Sequence, residues 1–289
     1  MTTPIISLNN VSYRYPHSDA AAVPALADIN LDVAPGEFVG LIGANGCGKS
    51  TLARLLNGLA LPTTGEVQVD GLSTTVHANL NRIRETLGMV FQNPDSQIVA
   101  TSVEDDIAFG PENLGLPPQE IEHRIAKACK EFGLEELRQT EPHWLSGGQK
   151  QRTVLAGVSA LEPKVLVLDE PTSMLDPRSQ RRFRGYVEQL WQNGTTVIYI
   201  TQIMEEIATA PRVVALSGGK IAFDGAPADF FSRSELLHET RLEPPLAARV
   251  SAALAMRGQE KSGASTEDMM RRQPPLALTL PELVKQVCT

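Results

Sequence analysis

The stretch GANGCGKST, Gly43 to Thr51, fits the pattern G-x-x-x-x-G-K-[ST]. It follows an apolar run, EFVGLIG, and opens a helical run, KSTLARLLNGL, which is the context the pattern needs. Gly43, Gly46 and Gly48 let the backbone turn tightly and aim N–H groups at phosphate oxygens, and the helix start adds a favourable field for an anion. Asn45 and Cys47 complete the loop. Lys49 is positioned for the β- and γ-phosphates, Ser50 for Mg²⁺, and Thr51 for the first helical turn. The competing reading is a chance glycine turn with a solvated lysine.

Downstream, VLVLDEP carries an apolar strand that ends in Asp169 and Glu170. Two acids closing a buried strand are costly unless they meet a cation or water. Asp169 suits a Mg²⁺ ligand, and Glu170 suits a residue that orients an attacking water. A bland alternative is that the acids mark a loop. With the phosphate loop, they make the chain a binder and hydrolase of a nucleoside triphosphate.

Strand-like runs alternate with amphipathic helices, which predicts an α/β fold with a largely parallel sheet. Early strands fall in IISLNNVSYRY and GEVQVDG, with LGMVFQ, KVLVLDEP and TTVIYIT later. Residues 93–160 read as a mostly helical insertion, with turns in NPDSQ and PENLGLPP. RVVALSGGKIAFDG reads as a hairpin turning at Gly218 and Gly219. From about residue 235 the texture changes. LEPPLAARVSAALAMRG predicts a short helix with Leu246, Val250 and Leu254 in a row, QEKSGASTEDMMRRQPP a polar loop, and TLPELVKQV a last helix. Thr279 and Glu282 form a capping box there. Such a tail needs the main body or another subunit to pack on.

The 289 residues carry 42% hydrophobic and 21% charged side chains, ordinary for a globular chain. A net charge of -8 gives no support to nucleic-acid binding. No apolar run has the roughly 18 residues of a membrane span, and the start MTTPIISLNN does not read as a signal peptide. Three scattered cysteines, Cys47, Cys129 and Cys288, fit a reducing compartment rather than a disulfide or zinc framework.

LSGGQKQR, Leu145 to Arg152, narrows the class. Ser146, Gly147, Gly148 and Gln149 offer a hydroxyl, backbone N–H groups and an amide at a helix start, a second anion grip beside the plainer reading of a polar cap. Here the chain resembles the ATP-binding-cassette ATPases over roughly residues 5–230, with LSGGQ as their signature and the order of motifs as in that family. The resemblance implies a cassette P-loop NTPase fold: a mostly parallel core, N-terminal antiparallel strands and a helical subdomain at about 93–160. It implies a cassette over 1–235, with a small helical extension over 236–289. It also implies ATP and Mg²⁺ as ligands, with two cassettes closing head to tail over two ATP molecules. Tyr15 matches the aromatic that stacks on adenine, with Tyr13 as the alternative and a plain strand tyrosine as the bland reading. Gln92 matches the glutamine that meets Mg²⁺ or the water region, and Asp176 the aspartate that reaches across the dimer.

Gln202, after VIYI, stands where that family usually has histidine. An amide cannot carry the proton a histidine can, but it still donates and accepts a hydrogen bond. A slow site, a weakened site paired with a better one, and a substitution that traps ATP all remain open, as does a simple polar cap. FQNPDSQIVATSVEDDIAFGPENLGLP and the tail resemble the energy-coupling factor importer ATPases of the cobalt and vitamin type. That resemblance implies a peripheral protein at the cytoplasmic face of the cell membrane. It implies three partners: a second cassette subunit, identical or different, an integral membrane coupling subunit, and a separate membrane subunit that binds the solute. The alternatives are another ABC transporter's ATPase, or a soluble cassette ATPase in DNA repair or translation.

Overall fold

The computed structural model describes residues 3–16, 23–262 and 276–288. Two sheets organise it. The first joins β1 (Ile6–Tyr13), β2 (Leu26–Val33), β4 (Thr64–Val69) and β5 (Leu72–Ser73) in the order β2-β1-β4-β5, all antiparallel. The second joins β3 (Phe38–Ile42), β6 (Leu87–Val90), β7 (Val165–Asp169), β8 (Thr196–Ile200), β9 (Arg212–Ser217) and β10 (Lys220–Gly225). Its order is β10-β9-β3-β8-β7-β6, with every neighbouring pair parallel except the hairpin β9-β10.

Strands β7 and β8 are buried at every residue, so their apolar runs have no solvent face. Alternation instead divides their side chains between two cores. Val165, Val167, Ile198 and Ile200 face the antiparallel sheet and helix α1 (Lys49–Leu56). Leu166, Leu168, Val197 and Tyr199 face the helices: α3 (Val103–Asn113), α4 (Pro118–Phe132), α5 (Gly147–Ser159) and α6 (Pro177–Gln192). Eight residues make α1 too short to persist alone. Fully buried Leu52, Leu55 and Leu56 hold it, each contributing about 1.5–3 kcal/mol by burial, and so fix the helix start beneath the glycine loop.

The hairpin turns where expected, at Gly218 and Gly219, both with positive φ. Its turn docks on the start of β2, because the Ala27 N–H donates to the Gly219 carbonyl at 2.8 Å. Several elements were absent from the sequence reading: β2, α2 (Leu80–Thr86), α3, α8 (Pro227–Phe231) and α9 (Ser234–Thr240), whereas the acidic helical start read after VIYIT is α7 (Met204–Ile207). The turn expected through PENLGLPP begins later than expected, since Pro111 lies inside α3.

The tail differs more. Helix α10 runs Leu246–Ser262, so the first residues of the expected polar loop are helical, and the rest of that loop lies outside the described residues. Ala247, Ala277 and Leu283 form a small cluster between α10 and α11 (Leu280–Cys288), while Ala248 and Leu278 join the main core. The row Leu246, Val250 and Leu254, expected to pack, is exposed, as are Leu280 and Val284. The capping box forms: Glu282 accepts from the Thr279 N–H at 3.2 Å, and the Glu282 N–H donates to the Thr279 hydroxyl at 3.4 Å.

Candidate active site

The carboxyl ends of four adjacent strands, β3, β8, β7 and β6, carry the loop at Gly43, then Gln202, then Asp169 and Glu170, then Gln92. Ligands of parallel sheets bind at this edge. Between β3 and α1 the glycine loop leaves no room for side chains at two places. A Cβ on Gly43 would lie 2.4 Å from the Leu216 carbonyl oxygen, and one on Gly48 would lie 2.7 Å from that of Ala25. Gly48 also stands at φ 111°, directly ahead of α1. The result is a backbone cradle whose N–H groups open at a helix N-terminus, suited to phosphate. Cys47 is buried inside it, and burial pushes its thiol pKa up.

Lys49 is 5% exposed. Its ammonium donates to the carbonyls of Gly43 (2.8 Å) and Ala44 (3.2 Å) and lies 3.9 Å from Glu170 Oε1. Beside it the Ser50 hydroxyl donates to Asp169 Oδ1 at 3.1 Å. Burial raises the Asp169 pKa, the Ser50 hydrogen bond pulls it back, and the Glu170 charge pushes it up again. A hydroxyl and a desolvated carboxylate side by side are hard oxygen donors that fit Mg²⁺.

Glu170 is where the side chains meet. Its N–H donates to the Ile200 carbonyl at 3.0 Å, tying the end of β7 to β8, and its backbone takes the left-handed conformation, φ 47°. Gln92 Nε2 donates to Glu170 Oε2 at 3.4 Å and to the Ser173 hydroxyl at 3.3 Å. Gln202 Nε2 donates to Glu170 Oε1 and, at 2.6 Å, to Asn45 Oδ1. Gln202 therefore bridges the glycine loop and the carboxylate, which a plain strand cap does not do.

Tyr15 is exposed, and its hydroxyl lies 2.7 Å from that of Thr51, so the ring borders the loop helix. Tyr13 is in the core, edge-on to Tyr15. Among the described contacts, none joins Ser146, Gly147, Gly148, Gln149 or Asp176 to the glycine loop. Ser146 caps α5 in a capping box with Gln149, whose Oε1 accepts from the Ser146 N–H at 2.7 Å. Asp176 caps α6, accepting from the N–H groups of Arg178 and Ser179 and from the Ser179 hydroxyl. That hydroxyl bond holds the Asp176 carboxyl below its usual range.

Sequence reasoning missed the residues that support Gln92. Gln97 clamps the end of β6, donating to the Met89 carbonyl at 2.8 Å and accepting from the Phe91 N–H at 3.0 Å. Lys150 on α5 pairs with Asp95 at 2.6 Å, so the signature helix is tied to the loop after Gln92. NPDSQ reads as a turn within the stretch that carries the energy-coupling factor resemblance, with no role for Gln97 or Asp95; a polar side chain after a buried strand is the available signal.

The ABC transporter family model matches residues 26–173, which span the loop, Gln92, the signature and both strand-end acids. The chain belongs to the ABC transporter family. Within it the chain is a member of the energy-coupling factor ATP-binding proteins. It is 44% identical over 285 residues to energy-coupling factor transporter ATP-binding protein EcfA1 of Caldanaerobacter subterraneus subsp. tengcongensis, covering 98% of this chain and 99% of the relative. It is 46% identical over 293 residues to the protein of the same name from Symbiobacterium thermophilum, covering 100% and 98%. Among solved structures, cbiO1 from Clostridium perfringens, described as part of the ABC transporter complex cbiONQ, superposes with a TM-score of 0.73 at 33% identity, covering 82% of this chain and 94% of that one. The cassette MJ0796, solved as a dimer in a post-hydrolysis state bound to ADP and Pi, gives 0.69 at 28% identity, covering 76% and 98%. The chain is thus an ATP-binding, ATP-hydrolysing cassette, and no helix among its described residues is long and apolar enough to cross a membrane.

Proposed function

We propose that this cassette energises uptake of a micronutrient, a vitamin or a transition-metal ion, as the ATPase subunit of an energy-coupling factor importer at the cytoplasmic face of the cell membrane. The uptake role rests on the likeness to the energy-coupling factor ATP-binding proteins over nearly the whole chain, and the observation that carries the hydrolysis is the convergence of Lys49, Gln92 and Gln202 on the Glu170 carboxylate. In this reading the loop N–H groups from Gly43 to Thr51 and the Lys49 ammonium hold the β- and γ-phosphates, and Tyr15 faces the adenine. Ser50, Asp169 and Gln92 would hold Mg²⁺, which would supply neutralising charge to the phosphates. Glu170 orients the attacking water. Gln202, a neutral donor, keeps Glu170 aimed but adds no positive charge, so hydrolysis is slower than with histidine.

Ser146–Gln149 and Asp176 serve the nucleotide of a second cassette subunit, of the same or a different chain. What supports this is that they lie apart from the glycine loop of their own chain, and that the cassette solved with ADP and Pi is a dimer. An integral membrane coupling subunit receives the closing motion, and a separate membrane subunit binds the solute; the name of the cbiONQ complex supports a multi-subunit assembly. The exposed row Leu246, Val250, Leu254, Leu280 and Val284 is the tail's contact for the second ATPase.

The test is purification of the assembly from membranes with the full chain and with the chain cut after Thr240. The full chain is expected to bring down a second cassette and two membrane proteins. The cut chain is expected to bind ATP but to lose the second cassette. Ala248 and Leu278 in the main core favour a second reading, in which the tail only stabilises its own cassette. An unchanged assembly with a lower melting temperature would support that reading.

A further inference from the structure

One buried acid has no part in the reading above. Glu206 lies in α7, a single helical turn after Gln202, and is 6% exposed. Both its oxygens are occupied by threonine hydroxyls: Thr172 donates to Oε1 at 2.5 Å and Thr201 to Oε2 at 2.6 Å. These threonines are themselves 1% and 2% exposed. Thr172 follows Glu170 by two residues, and Thr201 immediately precedes Gln202. The Thr201 hydroxyl also accepts from the Ile203 N–H at 2.9 Å, fixing the backbone just past Gln202.

A single turn of helix has no stability of its own. Here α7 is pinned from below. Met204 and Ile207 are buried, and Ile207 lies so close to β3 that a Cβ on Gly40 would meet it at 2.9 Å. The carboxyl of Glu206 is therefore a fixed point, and the two segments that carry Glu170 and Gln202 both hang from it. The contacts close a ring: Glu170, Thr172, Glu206, Thr201, Gln202 and back to Glu170. Each neighbour in the ring is joined by a hydrogen bond or by one or two residues of backbone.

We propose that Glu206 is a positioning residue for ATP hydrolysis, holding the turn after Glu170 and the end of β8 in one register so that the Glu170 carboxylate and the Gln202 amide stay face to face. It acts through the two threonines that it holds rather than on the reacting groups themselves. The proposal rests on the assignment of Glu170 as the residue that orients water. The phosphate loop meets the ring only through Asn45 and the 3.9 Å Lys49–Glu170 pair, and its own backbone is held by β3 and α1, so slackening the ring misplaces the reacting groups while leaving nucleotide binding intact.

The test uses the full chain in its assembly. Thr172→Val and Thr201→Val remove one hydroxyl each at nearly constant shape, and Thr172→Ser and Thr201→Ser restore it. Turnover is measured per ATP-binding site, counted by titration, so that an unfolded fraction does not lower kcat. The valine variants are expected to lose about tenfold in kcat with KM for ATP within about twofold, and the serine variants to recover most of the loss. Glu206→Gln, which keeps only one acceptor, is expected to behave like the valine variants if it folds. Valine variants with unchanged kcat per site, serine variants as slow as valine, or a KM that rises in step with the loss of kcat would each overturn the proposal. Glu170→Gln, measured alongside, separates the two levels: if it keeps parental turnover, the assignment of Glu170 fails, whatever the threonine variants do.

Discussion

Two regions of this molecule are rich in polar side chains, and they spend them differently. At the strand edge, Lys49, Glu170, Gln92, Gln202 and Asn45 reach across from four strands and contact one another, with Ser50 on Asp169 beside them. At the starts of α5 and α6, Ser146, Gln149 and Asp176 turn back on their own helix ends. The first group depends on the whole sheet being folded. The second is built by local capping and would form on almost any helix. A site completed from distant parts of one chain is ready for its chemistry, whereas a locally satisfied helix start in the open is a surface awaiting something from outside.

The sharpest way to break this contrast is at Glu170. Glu170→Gln keeps the shape of the hub but removes the charge that orients water. ATP binding should persist while turnover falls by about 10²- to 10⁴-fold, read by phosphate release under saturating ATP. Turnover near the parent value would move the role elsewhere.

The capped region calls for the opposite kind of change. A Cβ on Gly147 would find no atom closer than Leu175 at 4.0 Å, so a side chain fits. Gly147→Asp puts a carboxylate in the first turn of α5, which suits the helix but repels a phosphate approaching from a partner. The isolated chain should keep its melting temperature and its ATP affinity, and the assembly should lose at least about tenfold in turnover, equivalent to about 1.4 kcal/mol. Loss of ATP binding by the isolated chain would show that the signature serves its own loop.

Gln202→His sharpens the comparison from the other direction. A charged donor in place of a neutral amide adds about 1 kcal/mol of hydrogen-bond strength, worth about a fivefold gain in turnover with little change in affinity. An unchanged rate would reduce Gln202 to a strut between Asn45 and Glu170.

The smallest effect concerns Asp176. The Ser179 hydroxyl and the α6 N–H groups hold its folded pKa below that of the unfolded chain. Its contribution to stability is therefore complete above the ordinary carboxylate range and lost as pH falls through the lowered folded value. Asp176→Asn still caps but does not titrate. Urea midpoints should differ slightly near about pH 7, and the difference should shrink towards about pH 3. A gap that widens in acid would contradict the capping account.

Much of the strand-edge site was legible because each part is a local pattern: the glycine spacing, the acids closing β7, the glutamine after β6. The partnership of Gln202 with Asn45 was not, because it depends on β8 lying beside β3, an adjacency no local stretch encodes. Strand β2 was missed although its pattern is local: buried Ile29, Leu31 and Val33 alternate with exposed Asn30 and Asp32. Helix α3 was hidden by Pro111 in its last turn, where a proline is unexpected because it cannot donate to the carbonyl four residues back. In α10 the large residues at fourfold spacing stay exposed within this chain. The alanines beside them bury instead, because small side chains let a helix sit close against its neighbours.

The left-handed backbone of Glu170 has a consequence for how this protein would change under selection. For a residue with a Cβ that conformation costs about 1–2 kcal/mol, and glycine adopts it freely. Glu170→Gly should therefore melt at a higher temperature than the parent while hydrolysing almost no ATP. A library sorted only for thermal endurance would drift towards inert cassettes at this position, so screens for sturdier variants must be scored on turnover as well as on survival.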